Sequence, residues 1–161
     1  MRLYLLRHGE AVESPQYDDS QRPLTGPGRQ QIQTSAKFLR LSQATIDIIL
    51  SSPLVRARES AEIVKELFPA TSILTTEYLL PGGSYRDLLR EINKHETGSI
   101  LLVGHEPHLG QLVSVLTLGD DRAGVEMKKA SIACIENKTP VQKGGGKLLW
   151  LLTTPLMELM R

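Results

Sequence analysis

Two histidines and two arginines stand at or just beyond the ends of short apolar runs in the sequence. Arg7 and His8 follow the run "LYLL", Arg56 comes soon after "IIL", and His105 follows "ILLVG". An arginine guanidinium donates paired hydrogen bonds to phosphate oxygens, and a neutral imidazole nitrogen is a nucleophile that can attack phosphorus. These residue types predict a site that holds a phosphoryl group, in which one histidine attacks and the other stabilises the transferring oxygens.

Other residues with reactive side chains give weaker signals. His105 and His108 could share a metal, but "HEPH" lacks the i, i+4 spacing of the zinc-protease helix and has no cysteine nearby. We therefore predict no metal site. Cys134, in "SIACIE", has no neighbour that would activate its thiol and is interpreted as a buried free cysteine. Arg58 and His95 are interpreted as ordinary helix charges.

The apolar runs alternate with segments of helical periodicity, and this order predicts the elements that position the site. Strands are predicted at 2–7, 47–52, 71–76, 99–104, 131–136 and 147–154. Helices are predicted at 28–41 and 53–68, after an N-cap at Ser84, and from Pro107. We expect an α/β three-layer sandwich, with a mostly parallel central sheet, helices on both faces and an antiparallel C-terminal strand pair. Ligands of such sheets bind beyond the carboxyl ends of the strands, where the histidines and arginines would meet.

The totals favour an intracellular globular protein. The chain has 161 residues, 40% of them hydrophobic, a net charge of +1 and one cysteine. This length suits one domain over 1–161, and the balanced charge gives no basic face for nucleic acid. The sequence shows no signal peptide, basic amphipathic helix or long apolar run, so we expect no membrane contact and a cytoplasmic location. The segment "KGGGK" lacks the spacing of a phosphate-binding loop and is interpreted as a turn.

Three motifs resemble those of the histidine phosphatase superfamily, which includes the phosphoglycerate mutases and acid phosphatases. They are "LLRHGE", "SSPLVRARESAEI" and "LLVGHEPHL", and they occur in the order of the family. The short chain and "DDSQRPLTGPGRQQ" resemble the SixA branch of small phosphohistidine phosphatases. The resemblance implies a phosphoglycerate mutase-like fold and a phosphatase that needs no metal or other cofactor.

The resemblance also implies roles for particular residues. His8 would be the nucleophile and become a transient phosphohistidine, while Arg7, Arg56 and His105 would hold the phosphoryl oxygens, next to Gly9. Arg22, in "RPLT", would be a secondary contact from a loop that folds over the crevice.

The general acid is the role with the weakest match. Glu77 occupies the position at which larger relatives carry a glutamate, and Glu10 is a weaker candidate. The SixA branch is described as having no dedicated acid, because the imidazole of phosphohistidine leaves more readily than an alkoxide. The sequence assigns no role to Asp120, Asp121, Arg122 or the C-terminal tail.

The sequence therefore predicts a phosphatase for phosphohistidine on a partner protein, either a histidine phosphotransfer domain or a phosphocarrier. One alternative is a phosphatase for a small phosphate monoester, which a functional Glu77 would favour. The other is a module that binds phosphohistidine without turnover.

Overall fold

The computed structural model describes residues 1–160, which form a six-stranded sheet covered by helices on both faces. The strands are β1 (Arg2–Arg7), β2 (Ile48–Ser51), β3 (Ser72–Thr75), β4 (Ser99–Gly104), β5 (Ile132–Asn137) and β6 (Gly146–Leu152). The helices are α1 (Gly26–Leu41), α2 (Val55–Leu67), α3 (Tyr85–Asn93), α4 (His108–Leu118) and α5 (Thr154–Leu159). Two 3₁₀ helices, Asp19–Gln21 and Glu77–Leu79, lie in the loops that follow β1 and β3.

The strand order of the sheet is β3-β2-β4-β1-β5-β6. The first four of these strands run parallel to one another, whereas β5 is antiparallel to β1 and β6 is antiparallel to β5. The expected α/β sandwich is therefore confirmed, including its antiparallel C-terminal pair.

The sheet separates two hydrophobic cores, and β1 contributes to both. Tyr4 and Leu6 pack with α1, α2 and α5, while Leu3 and Leu5 pack with α3 and α4 on the other face. Successive side chains of a strand point to opposite faces, so an unbroken apolar strand is what a sheet covered on both sides requires. The polar residues that follow β1 therefore emerge at the edge of the sheet.

Side-chain caps set the starts of two helices. The Thr25 hydroxyl accepts a hydrogen bond from the Gly28 backbone N–H at α1, and Ser84 does the same for Asp87 at α3, as predicted. The last element differs from the prediction, because β6 ends at Leu152 and the short helix α5 begins at Thr154, with Thr153 at its N-cap position. Pro155 in the first turn of α5 is compatible with a helix start and cannot continue a strand ladder.

The longest helix of residues 1–160, α1, has 16 residues. None of the helices in this part of the chain combines the length and the apolar character needed to cross a bilayer.

Candidate active site

A cleft lies at the carboxyl ends of β1, β2 and β4, with a cavity volume of about 200 Å³. Its lining residues are Arg7, His8, Ala11, Glu13, Arg22, Arg56, Pro81, His105, Glu106 and Lys129. The two histidines and three arginines singled out in the sequence are all among them. Exposed residues such as Glu13 and Pro81 border the cleft, so it opens at the protein surface.

The pairing of β1 with β4 brings the two histidines together. In this parallel register Arg7 lies beside Gly104, and the His8 backbone N–H donates to the Gly104 carbonyl oxygen at 3.1 Å. The next residue of each strand exit is a histidine. The ring centroids of His8 and His105 are 5.0 Å apart, with an angle of 56° between the planes.

His8 is buried in the form that a nucleophile needs. Its Nδ1 lies 2.6 Å from the Gly9 carbonyl oxygen, and because a carbonyl only accepts, Nδ1 carries the hydrogen and Nε2 keeps its lone pair. Burial lowers the pKa of His8 to about 4; the charges of Arg56 and Arg7 add to this effect, while the bond to Gly9 opposes it. The imidazole is therefore neutral at neutral pH.

Arg56 projects from the first turn of α2 and is only 5% exposed. Its Nε donates to Nε2 of His8 at 3.3 Å, and its Nη1 donates to the backbone carbonyl oxygen of Asp19 at 2.7 Å. The guanidinium is thus fixed between the candidate nucleophile and the loop that follows β1.

His105 is held by the serine that follows β2. Its Nε2 lies 2.7 Å from Oγ of Ser52, which also accepts the backbone N–H of Leu54. Burial lowers the pKa of His105 to about 3, and the nearby His8 and Arg56 add to the effect. Its Nδ1 is buried without a hydrogen-bond partner in residues 1–160.

Arg7 is the last residue of β1 and lines the cleft. Its Nη1 donates to the Met127 carbonyl oxygen at 2.9 Å, and its Nε is buried without a partner within the described chain. Buried polar atoms normally have partners, so Arg7 Nε and His105 Nδ1 are two places at which an oxyanion would satisfy the protein.

Gly9 lets the segment after β1 pass close to the start of α1. A Cβ atom on Gly9 would lie 2.4 Å from the Gly28 carbonyl oxygen, and one on Gly28 would lie 2.1 Å from the Glu10 carbonyl oxygen. The backbone N–H of Gly9 donates to Ser60 of α2 at 3.3 Å. Gly9 is not among the lining residues; its carbonyl fixes the His8 ring.

Arg22 lies at the cleft as expected, and the loop that carries it contributes one residue that the sequence did not reveal. Nε and Nη2 of Arg22 both donate to one carboxylate oxygen of Asp19, at 3.1 and 2.9 Å. The other oxygen of this carboxylate accepts from Nη2 of Arg56 at 3.4 Å. Nothing in the local sequence around Asp19 signals that it would join the two arginines.

Glu77 and Glu10 do not line the cleft. Glu77 begins the 3₁₀ helix Glu77–Leu79, where its side chain is exposed and Leu79 is buried instead. Glu10 turns toward the start of α1, where it accepts a hydrogen bond from the Thr25 hydroxyl at 3.0 Å.

Three further charged side chains, Glu106, Glu13 and Lys129, line the cleft without having been assigned a role from the sequence. Glu106 directly follows His105, and its two oxygens accept the backbone N–H groups of Gly110 at 2.7 Å and Met127 at 3.3 Å. Glu13 and Lys129 border the opening. Because these three come from separate loops, only the folded chain brings them to one place.

The other residues considered from the sequence lie elsewhere. Within residues 1–160, no group of three or more His, Cys, Asp or Glu side chains could hold a metal ion. His108 faces away from the cleft, with Nε2 3.0 Å from the Tyr78 carbonyl oxygen and its ring stacked on Tyr85. Cys134 is buried in β5.

Asp120 and Arg122 form an ion pair at 2.7 Å in the loop after α4. With Asp121, they are not among the residues that line the cleft. Gly119, whose φ of 90° is left-handed, ends α4 before them.

Similarity to known proteins agrees with this geometry. The family model described as "Histidine phosphatase superfamily (branch 1)" matches residues 3–79, from β1 to the second 3₁₀ helix. A phosphohistidine phosphatase SixA homolog of Haemophilus influenzae is 32% identical over 127 residues, which cover 72% of this chain and 77% of the relative. The chain belongs to the histidine phosphatase superfamily.

Within the histidine phosphatase superfamily, the similarity is to the SixA-type branch. An uncharacterized protein of Picosynechococcus is 33% identical over 162 residues, covering 96% of this chain and 97% of that protein. The solved structure of the protein histidine phosphatase SixA complexed with tungstate has a TM-score of 0.86 and 24% identity, over 98% of this chain and 99% of that one. The protein is a phosphatase, and its substrates carry a phosphoryl group.

Proposed function

We propose that this phosphatase works without a metal, through a transient phosphohistidine on His8, and removes phosphoryl groups from histidine on a partner protein. The observation that carries the proposal is the state of His8. Its Nδ1 is committed to the Gly9 carbonyl, its Nε2 faces Arg56, and burial keeps its pKa at about 4. A neutral nitrogen lone pair beside a fixed cation suits attack on an anionic phosphoryl group.

The proposed reaction has two transfers. Nε2 of His8 bonds to phosphorus while the phosphorus–nitrogen bond of the substrate breaks, and the substrate imidazole leaves with the electron pair of that bond and takes a proton from solvent. Water then attacks the phosphorus of phospho-His8 and gives up a proton to solvent. Inorganic phosphate leaves, and the lone pair returns to Nε2.

Arg7, Arg56 and His105 are proposed to hold the phosphoryl oxygens, with Arg22 as a further contact. Transition states of phosphoryl transfer carry negative charge on the equatorial oxygens, and fixed donors stabilise it best in a buried site. Within residues 1–160, Arg7 Nε and His105 Nδ1 have no hydrogen-bond partner, which supports these roles because an oxyanion would give both a partner. The arginines supply the positive charge that a metal provides in other phosphatases.

Three observations favour phosphohistidine as the substrate. The cleft opens at the surface, which suits a residue presented by another protein, and Glu77 lies outside it. An imidazole leaves with less acid assistance than an alkoxide, so the site has no need of Glu77. The Haemophilus influenzae relative is named a phosphohistidine phosphatase homolog. The partner would be a histidine phosphotransfer domain or a phosphocarrier.

Residues 1–161 are proposed to act as one catalytic domain in the cytoplasm. The reduced, buried Cys134 fits a reducing compartment.

The test compares phosphate release from a phosphohistidine-bearing phosphocarrier and from an aryl phosphate, with a chelator present. We expect the phosphocarrier to be the better substrate by kcat/KM, and His8→Ala to abolish its turnover. A matched control is His95→Ala, which removes a histidine far from the cleft and should leave the rate unchanged. Tight binding of the phosphocarrier without turnover would instead identify a binding module.

A phosphatase for a small monoester is the second candidate, because Glu106 and Glu13 place carboxylates in the cleft. Both oxygens of Glu106 already accept backbone N–H groups, which leaves this carboxylate poorly suited to donating a proton. Efficient aryl phosphate hydrolysis that falls in Glu13→Gln would favour this candidate over the first.

A further inference from the structure

Asp19 makes unusual contacts for a residue in a phosphate-binding site. Its carboxylate and its backbone carbonyl together accept hydrogen bonds from both Arg22 and Arg56, two of the arginines that line the cleft. A guanidinium recognises a phosphoryl group through paired N–H donors along one edge. In this structure an edge of each arginine is directed at Asp19.

The contacts leave little of either edge for a second anion. Arg22 directs Nε and Nη2 to one oxygen of Asp19, at 3.1 and 2.9 Å. Arg56 directs Nη1 and Nη2 to the carbonyl and the second carboxylate oxygen, at 2.7 and 3.4 Å. The third nitrogen of the Arg56 guanidinium, Nε, donates to Nε2 of His8, whose lone pair must attack phosphorus.

The surroundings of Asp19 favour exchange over a permanent bond. Its side chain is 69% exposed, whereas that of Arg56 is 6% exposed. An exposed carboxylate can be released into water at low cost, because surface ion pairs contribute about 0.2–1 kcal/mol each. The buried guanidinium, by contrast, is stabilised by whichever anion lies beside it.

The charge states of Asp19 and Arg56 suit a carboxylate that occupies the place of a substrate anion. The bond from Arg22 lowers the pKa of Asp19, so the carboxylate is ionised at neutral pH and has no proton to offer a leaving group. Burial lowers the pKa of Arg56, and the negative charge of Asp19 opposes that effect. Asp19 thus supports the charged form of Arg56 while the cleft holds no substrate.

We propose that the Asp19 carboxylate is an internal competitor for the phosphoryl group, which the substrate displaces from Arg22 and Arg56 as it binds. The same carboxylate returns to the arginines when inorganic phosphate leaves, and so promotes product release. The inference rests on the proposed function, because it takes Arg22 and Arg56 as ligands of the phosphoryl group.

The test measures binding of inorganic phosphate by calorimetry and steady-state kinetics on an aryl phosphate. Asp19→Asn keeps the shape of the side chain and the backbone carbonyl but removes the competing charge. We expect it to bind phosphate about three- to tenfold more tightly, as the loss of the two ion pairs made by the exposed Asp19 carboxylate would give. The KM for the aryl phosphate should fall by a similar factor, and kcat should not rise. A purely structural role for Asp19 predicts the opposite, namely weaker binding.

The matched control is Asp18→Asn, which removes the same charge one residue away. Asp18 is exposed and its side chain caps no backbone group of the 3₁₀ helix. Its phosphate affinity should stay within about twofold of the wild type. Equal tightening in both variants would overturn the inference, because it would reflect net charge alone.

The variant Arg56→Ala distinguishes a failure of the competitor role of Asp19 from a failure of the proposed phosphate site. If the wild type binds phosphate and Arg56→Ala does not, while Asp19→Asn binds unchanged or more weakly, the site stands and the competitor role is wrong. If Arg56→Ala binds phosphate as the wild type does, or neither binds it, the proposed site itself is wrong. Circular dichroism melts of each variant establish that these differences come from folded protein.

Discussion

Nε of Arg56 lies 3.3 Å from Nε2 of His8, so a buried cation is directed at the lone pair of the candidate nucleophile. The contact links two motifs that are 48 residues apart in the sequence. It holds the imidazole ring and, through the positive charge, helps to keep it neutral. When a phosphoryl group enters, the same guanidinium is close enough to bind the oxygens on the phosphorus that His8 attacks.

Replacement of Arg56 by lysine should therefore be costly although the charge is kept. A lysine ammonium cannot span His8 and the Asp19 carbonyl with a planar set of donors. We expect kcat/KM to fall by about 10²–10³-fold, the usual effect of removing one transition-state donor. Arg58→Lys is the control, because Arg58 lies two residues beyond Arg56 on the same helix, is exposed, and does not line the cleft. Similar activity in the two variants would contradict the role of Arg56.

Folding stability should depend on pH through the buried histidines. Unfolded His8 takes up a proton below its ordinary pKa of 6.5, whereas the folded residue does so only near 4. The stabilisation is fully present above pH 6.5 and is lost progressively as the pH falls toward 4. Between pH 7 and pH 5 we expect His8 to account for a loss of about 2 kcal/mol in the free energy of unfolding.

Urea denaturation at the two pH values measures this effect. His105, with its pKa at about 3, acts in the same direction, so the single variant His8→Gln should retain part of the pH dependence. The free energy of unfolding of His8→Gln should drop by about 2 kcal/mol less than that of the wild type. An identical drop in both proteins would mean that His8 is not buried in its neutral form.

The close approach of the segment after β1 to α1 predicts a contrast between two glycines. A Cβ on Gly28 would lie 2.1 Å from the Glu10 carbonyl oxygen, while one on Gly26 would meet nothing within 4 Å. Gly28→Ala should destabilise the fold by roughly 1–3 kcal/mol, as overpacking does, and should lower activity by shifting the residues after His8. Gly26→Ala should be neutral. Thermal unfolding of both variants decides this, and equal melting temperatures would contradict the tight contact.

Glu77 should be dispensable. Its side chain is exposed on the 3₁₀ helix after β3 and lies outside the cleft lining. We expect Glu77→Gln to hydrolyse a phosphohistidine protein and an aryl phosphate at rates within about twofold of the wild type, since a side chain away from the reacting atoms supplies no proton. A large loss confined to the aryl phosphate would show instead that Glu77 moves into the site and acts as an acid.

Periodicity and strand exits were enough to predict the sheet, its helical layers and the meeting of His8 with His105. The apolar runs were correctly interpreted as strands of a sheet covered on both sides. Segments such as 3–6 and 100–103 are indeed buried on both faces. The predicted end of β6 was wrong because "LLTT" continues a strand pattern. Only Pro155, shortly beyond it, indicates a helix.

The loop residues of the cleft could not be predicted in the same way. Glu13 and Lys129 line the cleft from irregular segments, and Asp19 contacts the cleft residues Arg22 and Arg56 from the 3₁₀ helix Asp19–Gln21. The path of these segments depends on tertiary contacts, such as the bond between Arg56 and the Asp19 carbonyl. Glu77 shows the reverse case. A position matched to larger relatives put it in the pocket, whereas the local 3₁₀ turn leaves it in solvent.

The most direct test of the account is to trap the phosphorylated enzyme. Wild-type protein would be mixed with a radiolabelled phosphohistidine phosphocarrier in the presence of chelator, quenched in alkali within one turnover, and digested for peptide mapping. The account predicts label on the peptide that contains His8, and neither label nor phosphate release in His8→Ala. Phosphate release by His8→Ala at the wild-type rate, or label on another residue, would contradict it.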